Sequence, residues 1–254
     1  RREEVVILSK CGHPDAMWNK RVNEKEMRKD LKKSLEELKT DYIDIYMLHR
    51  DDPDTDVAVA VETFNAMHEE GSIRAFGASN WMHTRIEEAN EYAYKHNLIP
   101  FSVSSPNFCL ARQIEDPWGG GCVNISGPEN QEARAWYEKN QMPVIAYASL
   151  GRGFFSGRMK SEYADHASDY LDSFAMTGYA CSDNFERLHR CEIIAERHGV
   201  TVAQIAMNWI FSHPLNIFAI ASMSKADRMK ANREALLLQL SDEEIAYLDL
   251  ETPE

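Results

Sequence analysis

The stretch DYIDIYMLHRDD, residues 41–52, decides how this chain is read. Ile43, Ile45, Tyr46, Met47 and Leu48 form a short apolar run of the kind that fills a strand buried on both faces, and it stops abruptly at His49, Arg50, Asp51 and Asp52. Parallel α/β folds gather ligands and chemistry at the carboxyl ends of their strands, because the loops there vary while a rigid sheet holds them. VVILSK, residues 5–10, has the same form and ends in Lys10. As neighbours in a parallel sheet, the two runs bring Lys10 and His49 out side by side.

Between the two runs, Asn23 caps a helix with Glu26 at its third position, and Met27, Leu31, Leu35 and Leu38 give that helix one apolar stripe. A helix over 57–70 closes at Gly71. SIRAFGASNW is a strand with a glycine inside it and Ser79, Asn80 and Trp81 at its tip; a helix over 82–96 and a strand over 99–107 follow. Residues 111–130 are Gly- and Pro-rich without periodicity, which predicts a lid, a binding loop or disorder. The remainder reads as a helix over 131–140, a strand over 142–149, a polar loop over 158–183, helices at 184–198 and in TVAQIAMNWIFSHP, a strand over 217–222, a helix over 226–232, and a last helix with a capping box at Ser241 and Glu244.

Strands and helices alternate six times, which implies a parallel sheet covered by helices. The two closed solutions are a doubly wound sheet and an eight-stranded βα barrel of the TIM type. No GxGxxG follows the first strand, so the barrel is expected, with six of its eight units present, as a single domain over residues 1–254. The chain starts at Arg1, without methionine, just before a buried strand, and is therefore expected to be a fragment.

At 44% hydrophobic, the chain can bury a large core. A net charge of −13 argues against nucleic acid or an anionic membrane as the main partner. Cys11, Cys109, Cys122, Cys181 and Cys191 are odd in number and lack CxxC spacing, so neither a disulfide framework nor a zinc site is indicated and a reducing cytoplasm fits. No apolar run approaches the roughly 20 residues that span a bilayer.

Taken together, Lys10 after its apolar strand, DYIDIYMLHRDDP, GSIRAFGASNW, VIAYASLGRGFFSG and IASMSKADRMKAN before an LSDEE helix resemble the aldo-keto reductase family in order and spacing. The resemblance implies a barrel that binds NADPH in extended form across its strand ends and reduces a carbonyl. It makes Lys10 and His49 two members of a catalytic tetrad: a tyrosine donates the proton, the lysine lowers that tyrosine's pKa, an aspartate pairs with the lysine, and the histidine orients the carbonyl. The tyrosine and aspartate belong to a unit expected to precede Arg1.

For the cofactor, the resemblance assigns Ser79 and Asn80 to the nicotinamide carboxamide and Tyr147 to stacking on the ring. Ser149, Leu150, Gly151 and Arg152 fall to the pyrophosphate, and Ser222, Ser224, Lys225, Arg228 and Asn232 to the adenosine 2′-phosphate and adenine, with NADPH preferred over NADH. Two positions depart from the family pattern. Ser104 stands where a carboxamide-binding glutamine is usual, and Asn107 where a tyrosine is. Met47, Trp81, Phe108 and Trp118 are candidate walls of an apolar substrate pocket.

A small-molecule carbonyl substrate is the expected partner, with a second copy of the chain as another, since an open sheet leaves edges bare. A noncatalytic NADPH-binding or regulatory subunit is the alternative. A divalent-metal hydrolase using His13, His49, Asp51 and Asp52 ranks last, because the ligand spacing that metals need is missing and no metal is expected.

Overall fold

In the computed structural model, which describes residues 1–222 and 225–252, the two apolar runs are neighbouring parallel strands. Leu8–Cys11 (β1) lies against Ile43–Leu48 (β2), with Leu8 opposite Ile45 and Lys10 opposite Met47. Pairing begins later than the sequence suggests. The Asp44 carboxylate takes the Ile7 amide at 2.9 Å and Arg2 at 2.7 Å, while Val5 and Val6 stay exposed after a short 3-10 turn, Arg2–Glu4.

By its own contacts the chain divides into two compact units, Arg1–Ser105 and Pro106–Glu254. In the first, β2 pairs in parallel with Ile73–Ser79 (β3), which pairs in parallel with Ser104–Ser105 (β4). Helices Glu24–Leu38 (α1), Val57–Glu69 (α2) and His83–Lys95 (α3) connect them. The Asn23 side chain accepts from the Glu26 amide, as its capping position predicts, and Met27 and Leu31 of the α1 stripe are buried. Tyr46, Phe64, Phe76, Trp81 and Phe101 form an aromatic core, Phe64 stacked on Phe76 at 5.3 Å between centroids.

The strand expected over 99–107 shrinks to two residues. Pro100 and Pro106 have no N–H to give a ladder, and the side chains of Asn65 and Asn90 accept from the Ile99 and Phe101 amides, each at 2.8 Å. Gly77 explains the glycine inside β3: a Cβ there would lie 1.8 Å from the Val103 carbonyl oxygen.

In the second unit, Val144–Ala146 (β5) pairs in parallel with Ile217–Ala219 (β6), and Asn107 forms parallel bridges to Tyr147 and Asn124. Around them lie Gln131–Asn140 (α4), Ser173–Tyr179 (α5), Ser182–His198 (α6), Val202–Phe211 (α7), Ala226–Glu234 (α8) and Asp242–Leu248 (α9), whose capping box at Ser241 and Glu244 is formed. The expected polar loop over 158–183 instead holds a 3-10 run, Ser161–Asp169, and α5. Asp172 caps α5 by accepting from the Ala175 amide at 2.7 Å, and Leu171, Ala175 and Tyr179 make a buried stripe too short to stand out as a period.

The Gly-rich segment 111–130 is tied down. Asp116 accepts from the Trp118 and Cys122 amides at 2.9 Å, and the Ile114 amide donates to Gly178 at 2.8 Å. Asn107 exchanges backbone bonds with Val123 and Ile125. Among the described residues no helix is long and apolar enough to cross a membrane.

Candidate functional site

In the first unit, β1 and β2 carry Lys10 and His49 to the same end of adjacent strands, as the two apolar runs predict. His49 is clamped by its backbone. Its amide donates to the Cys11 carbonyl at 2.8 Å, and its carbonyl accepts from Asn80 Nδ2 at 3.0 Å. The imidazole is half-buried, with the edge of the His13 ring 4.7 Å away between centroids. Burial first, then the charges of Lys10, His13 and Arg50, push its pKa down to about 4, so the ring is neutral at pH 7. Lys10 is also half-buried, and burial lowers its pKa; it makes no hydrogen bond or ion pair among the described residues.

The carboxylates that follow His49 face other partners. Asp52 bonds Lys20 at 2.6 Å and accepts from Thr55 Oγ1 at 2.8 Å, and Asp51 pairs with Arg85 at 3.6 Å. His13 Nδ1 lies 2.8 Å from the Pro14 carbonyl, which can only accept, so that nitrogen carries the hydrogen.

At the tip of β3, Ser79 Oγ donates to the Ser105 carbonyl at 2.8 Å and receives Asn80 Nδ2 at 3.2 Å. Asn80 has φ +60°, a left-handed conformation that asparagine tolerates. Ser104, Met47 and Trp81 are buried to 1% exposure or less.

In the second unit, the Tyr147 amide donates to the Pro106 carbonyl at 3.1 Å, and the half-buried ring meets Trp118 at 5.7 Å edge-on. Ser149 Oγ donates back to the Ala146 carbonyl at 3.1 Å. After Leu150 the backbone turns left-handed at Gly151 (φ +56°) and Arg152 (φ +53°). Arg152 makes a forked bond to Asp172, at 2.7 and 3.4 Å, and lies 4.8 Å from the centre of the Phe174 ring. The guanidinium holds the Asp172 carboxyl below the usual range.

Asn107 is fully buried and donates to Tyr179 Oη at 2.7 Å. Phe108 is fully buried against Trp209 and His213, so of the four expected pocket walls Trp118 alone is partly exposed. Ser222, Lys225 and Arg228 are exposed, and Asn232 is half-buried. Lys225 and Arg228 form no ion pair among the described residues, and Ser224 lies outside those residues.

Two contacts escaped sequence reasoning. Asp172 shows its helix-capping role locally, but its pairing with Arg152 depends on how residues between them fold. The bond from Asn80 to the His49 backbone has no signature in either segment.

The profile of the aldo/keto reductase family matches residues 1–250. The aldo-keto reductase YhdN of Bacillus subtilis is 24% identical over 250 residues, covering 96% of this chain and 69% of its own length. The methylglyoxal reductase YeaE of Escherichia coli is 25% identical, covering 99% and 71%. An aryl-alcohol dehydrogenase of Pestalotiopsis microspora is 24% identical over 98% of this chain, which spans 61% of that protein's length. A crystal structure of the thermostable aldo-keto reductase Tm1743 with the inhibitor epalrestat shares the fold, with a TM-score of 0.69 at 23% identity over 98% of this chain and 72% of the other. The parallel α/β elements, the sequence relatives and a profile match over nearly every residue agree: the chain belongs to the aldo/keto reductase family.

Proposed function

We propose that the chain serves an enzyme of the cytoplasm that reduces an aldehyde or ketone with hydride from NADPH, on an eight-stranded βα barrel. The observation that carries this reading is the state of His49: a neutral imidazole at a strand end, fixed through its backbone by Cys11 and Asn80, beside the half-buried Lys10. A neutral imidazole N–H can donate to a carbonyl oxygen and orient it without surrendering a proton. Lys10, with no carboxylate partner among the described residues, is assigned to lowering the pKa of a proton-donating tyrosine; no residue from 1 to 254 is assigned to that tyrosine or its aspartate.

When bound, a nicotinamide cofactor supplies the hydride. In the first unit Ser79 and Asn80 are assigned to its carboxamide, and the buried Ser104 replaces the usual glutamine. In the second, Tyr147 is assigned to the ring, and the turn from Ser149 to Arg152 to the pyrophosphate, Arg152 exchanging Asp172 for the anion. Lys225 and Arg228 offer unneutralised positive charge in a chain of net charge −13, which supports selection of the 2′-phosphate.

The test is quenching of tryptophan fluorescence by NADPH, followed by NADPH oxidation with an activated aldehyde. His49→Ala is expected to cut turnover by roughly 10²-fold or more while NADPH affinity stays within about twofold. Lost NADPH binding with reduction intact would sink the role of His49. Equal affinity for NADH would sink the 2′-phosphate assignment, and binding without turnover by a protein that also carries the proton-donating tyrosine would favour a noncatalytic subunit.

A further inference from the structure

The second unit holds a cavity of about 280 Å³ that none of the candidate catalytic or cofactor residues lines. Its walls include Arg112, Arg134, Arg187, Trp209, His213 and Asp249. Arg134 reaches it from α4 and is fixed there by donating Nη1 to the carbonyls of Ile125 and Gly127, at 2.7 and 2.5 Å. Arg187 comes from α6, is 7% exposed, and donates to Asn184 Oδ1 at 3.3 Å.

Neither guanidinium lies within ion-pair distance of a carboxylate among the described residues. Burial lowers the pKa of both; at longer range both feel the Asp249 carboxylate, Arg134 also that of Glu129 and Arg187 also that of Asp183. Asp249 is held on the cavity wall by accepting from Trp209 Nε1 at 3.0 Å. Arg112 is drawn to Glu129 at 3.3 Å. Burial lowers the pKa of His213, whose Nδ1–H donates to the Trp209 carbonyl at 2.9 Å. One buried and one half-buried guanidinium thus line the same cavity with no carboxylate at ion-pair distance, Asp249 and Glu251 lying farther off on its wall and rim, and a buried charge without a close partner is costly. Arginine's rigid fork matches the oxygens of a carboxylate or phosphate, so such an anion completes the arrangement.

We propose that this cavity binds a small oxyanion, a phosphate or a carboxylate, held between Arg134 and Arg187. The site is separate from the residues assigned to reduction, and its test is separate too. Calorimetric titration of the whole chain with inorganic phosphate, and in parallel with malonate, against sodium chloride at equal ionic strength, distinguishes the two sources. Saturable binding of one of them at one site per chain is expected.

Arg187→Gln should weaken that binding by roughly thirtyfold or more, because a buried charged partner is removed. Glu251→Gln removes an exposed carboxylate from the rim and should tighten it about twofold to threefold. NADPH affinity should be unchanged in both variants, which separates this site from phosphate capture at Lys225 and Arg228. No binding of either anion, or binding that Arg187→Gln leaves untouched, overturns the proposal. Where Arg187→Gln fails to fold, Glu251→Gln decides: tightening supports the site, and unchanged affinity rejects it.

Discussion

The Asn80 side-chain amide donates to the main-chain carbonyl of His49 at 3.0 Å, so the tip of β3 fixes the backbone at the tip of β2. The same nitrogen reaches Ser79 Oγ at 3.2 Å. Asn80→Asp keeps the shape and the left-handed backbone but turns a donor into an acceptor facing a carbonyl oxygen. A loss of about 1–3 kcal/mol in folding stability is expected, the usual cost of leaving buried polar groups unmatched. Urea unfolding of the two proteins checks this, and an unchanged midpoint would show that the bond contributes nothing.

His49 should behave as a neutral ring across the physiological range. Its folded pKa, pushed to about 4 by burial and by Lys10, His13 and Arg50, lies below the ordinary value of 6.5. The stability this group contributes is therefore complete above pH 6.5 and is lost as pH falls through about 4. Nitrogen-detected NMR of the imidazole should show a neutral tautomer at pH 6. A midpoint near 6.5 would mean that the ring is solvated and lacks the environment described.

Gly77→Ala should prevent folding of the first unit or cost it upwards of roughly 3 kcal/mol, because the added methyl would sit 1.8 Å from the Val103 carbonyl oxygen, a backbone atom that cannot rotate away. Circular dichroism and soluble yield report the outcome. Near-normal stability would require β3 and the Val103 segment to separate without penalty.

Asp249 should make the second unit less stable as pH rises from 4 to 6. Burial raises its folded pKa from 3.8 to about 6, so the stabilisation is complete below 3.8 and is lost as pH passes through about 6. After discounting for partial exposure, the effect is roughly 1–2 kcal/mol. Asp249→Asn, which keeps an acceptor for Trp209 Nε1, should flatten this part of the stability profile. Denaturant midpoints at pH 4, 5, 6 and 7 measure it, and parallel curves for the two proteins would contradict it.

Much of the scaffold was legible locally. The apolar run 43–48 and the run ending at Lys10 announced neighbouring strands with polar tips; the two do pair, although the first starts only at Leu8 and runs on to Cys11. The caps at Asn23 and at Ser241 with Glu244 followed from side chains reaching amides three residues on. These features depend on periodicity and near-neighbour hydrogen bonds, which a linear sequence records.

Other features depend on segments that meet only after folding. The strand over 99–107 was cut to Ser104–Ser105 because Asn65 and Asn90, from two different helices, captured its amides. Segment 111–130 was ordered by Asp116 and by bonds to Asn107 and Gly178. Periodicity and composition were enough to say which residues could stand at the strand ends. Only after folding do the neutral charge state of His49, the clamp from Asn80 and the placement of Arg134 and Arg187 on one cavity arise, because desolvation and electrostatic coupling are set by what surrounds a group in space.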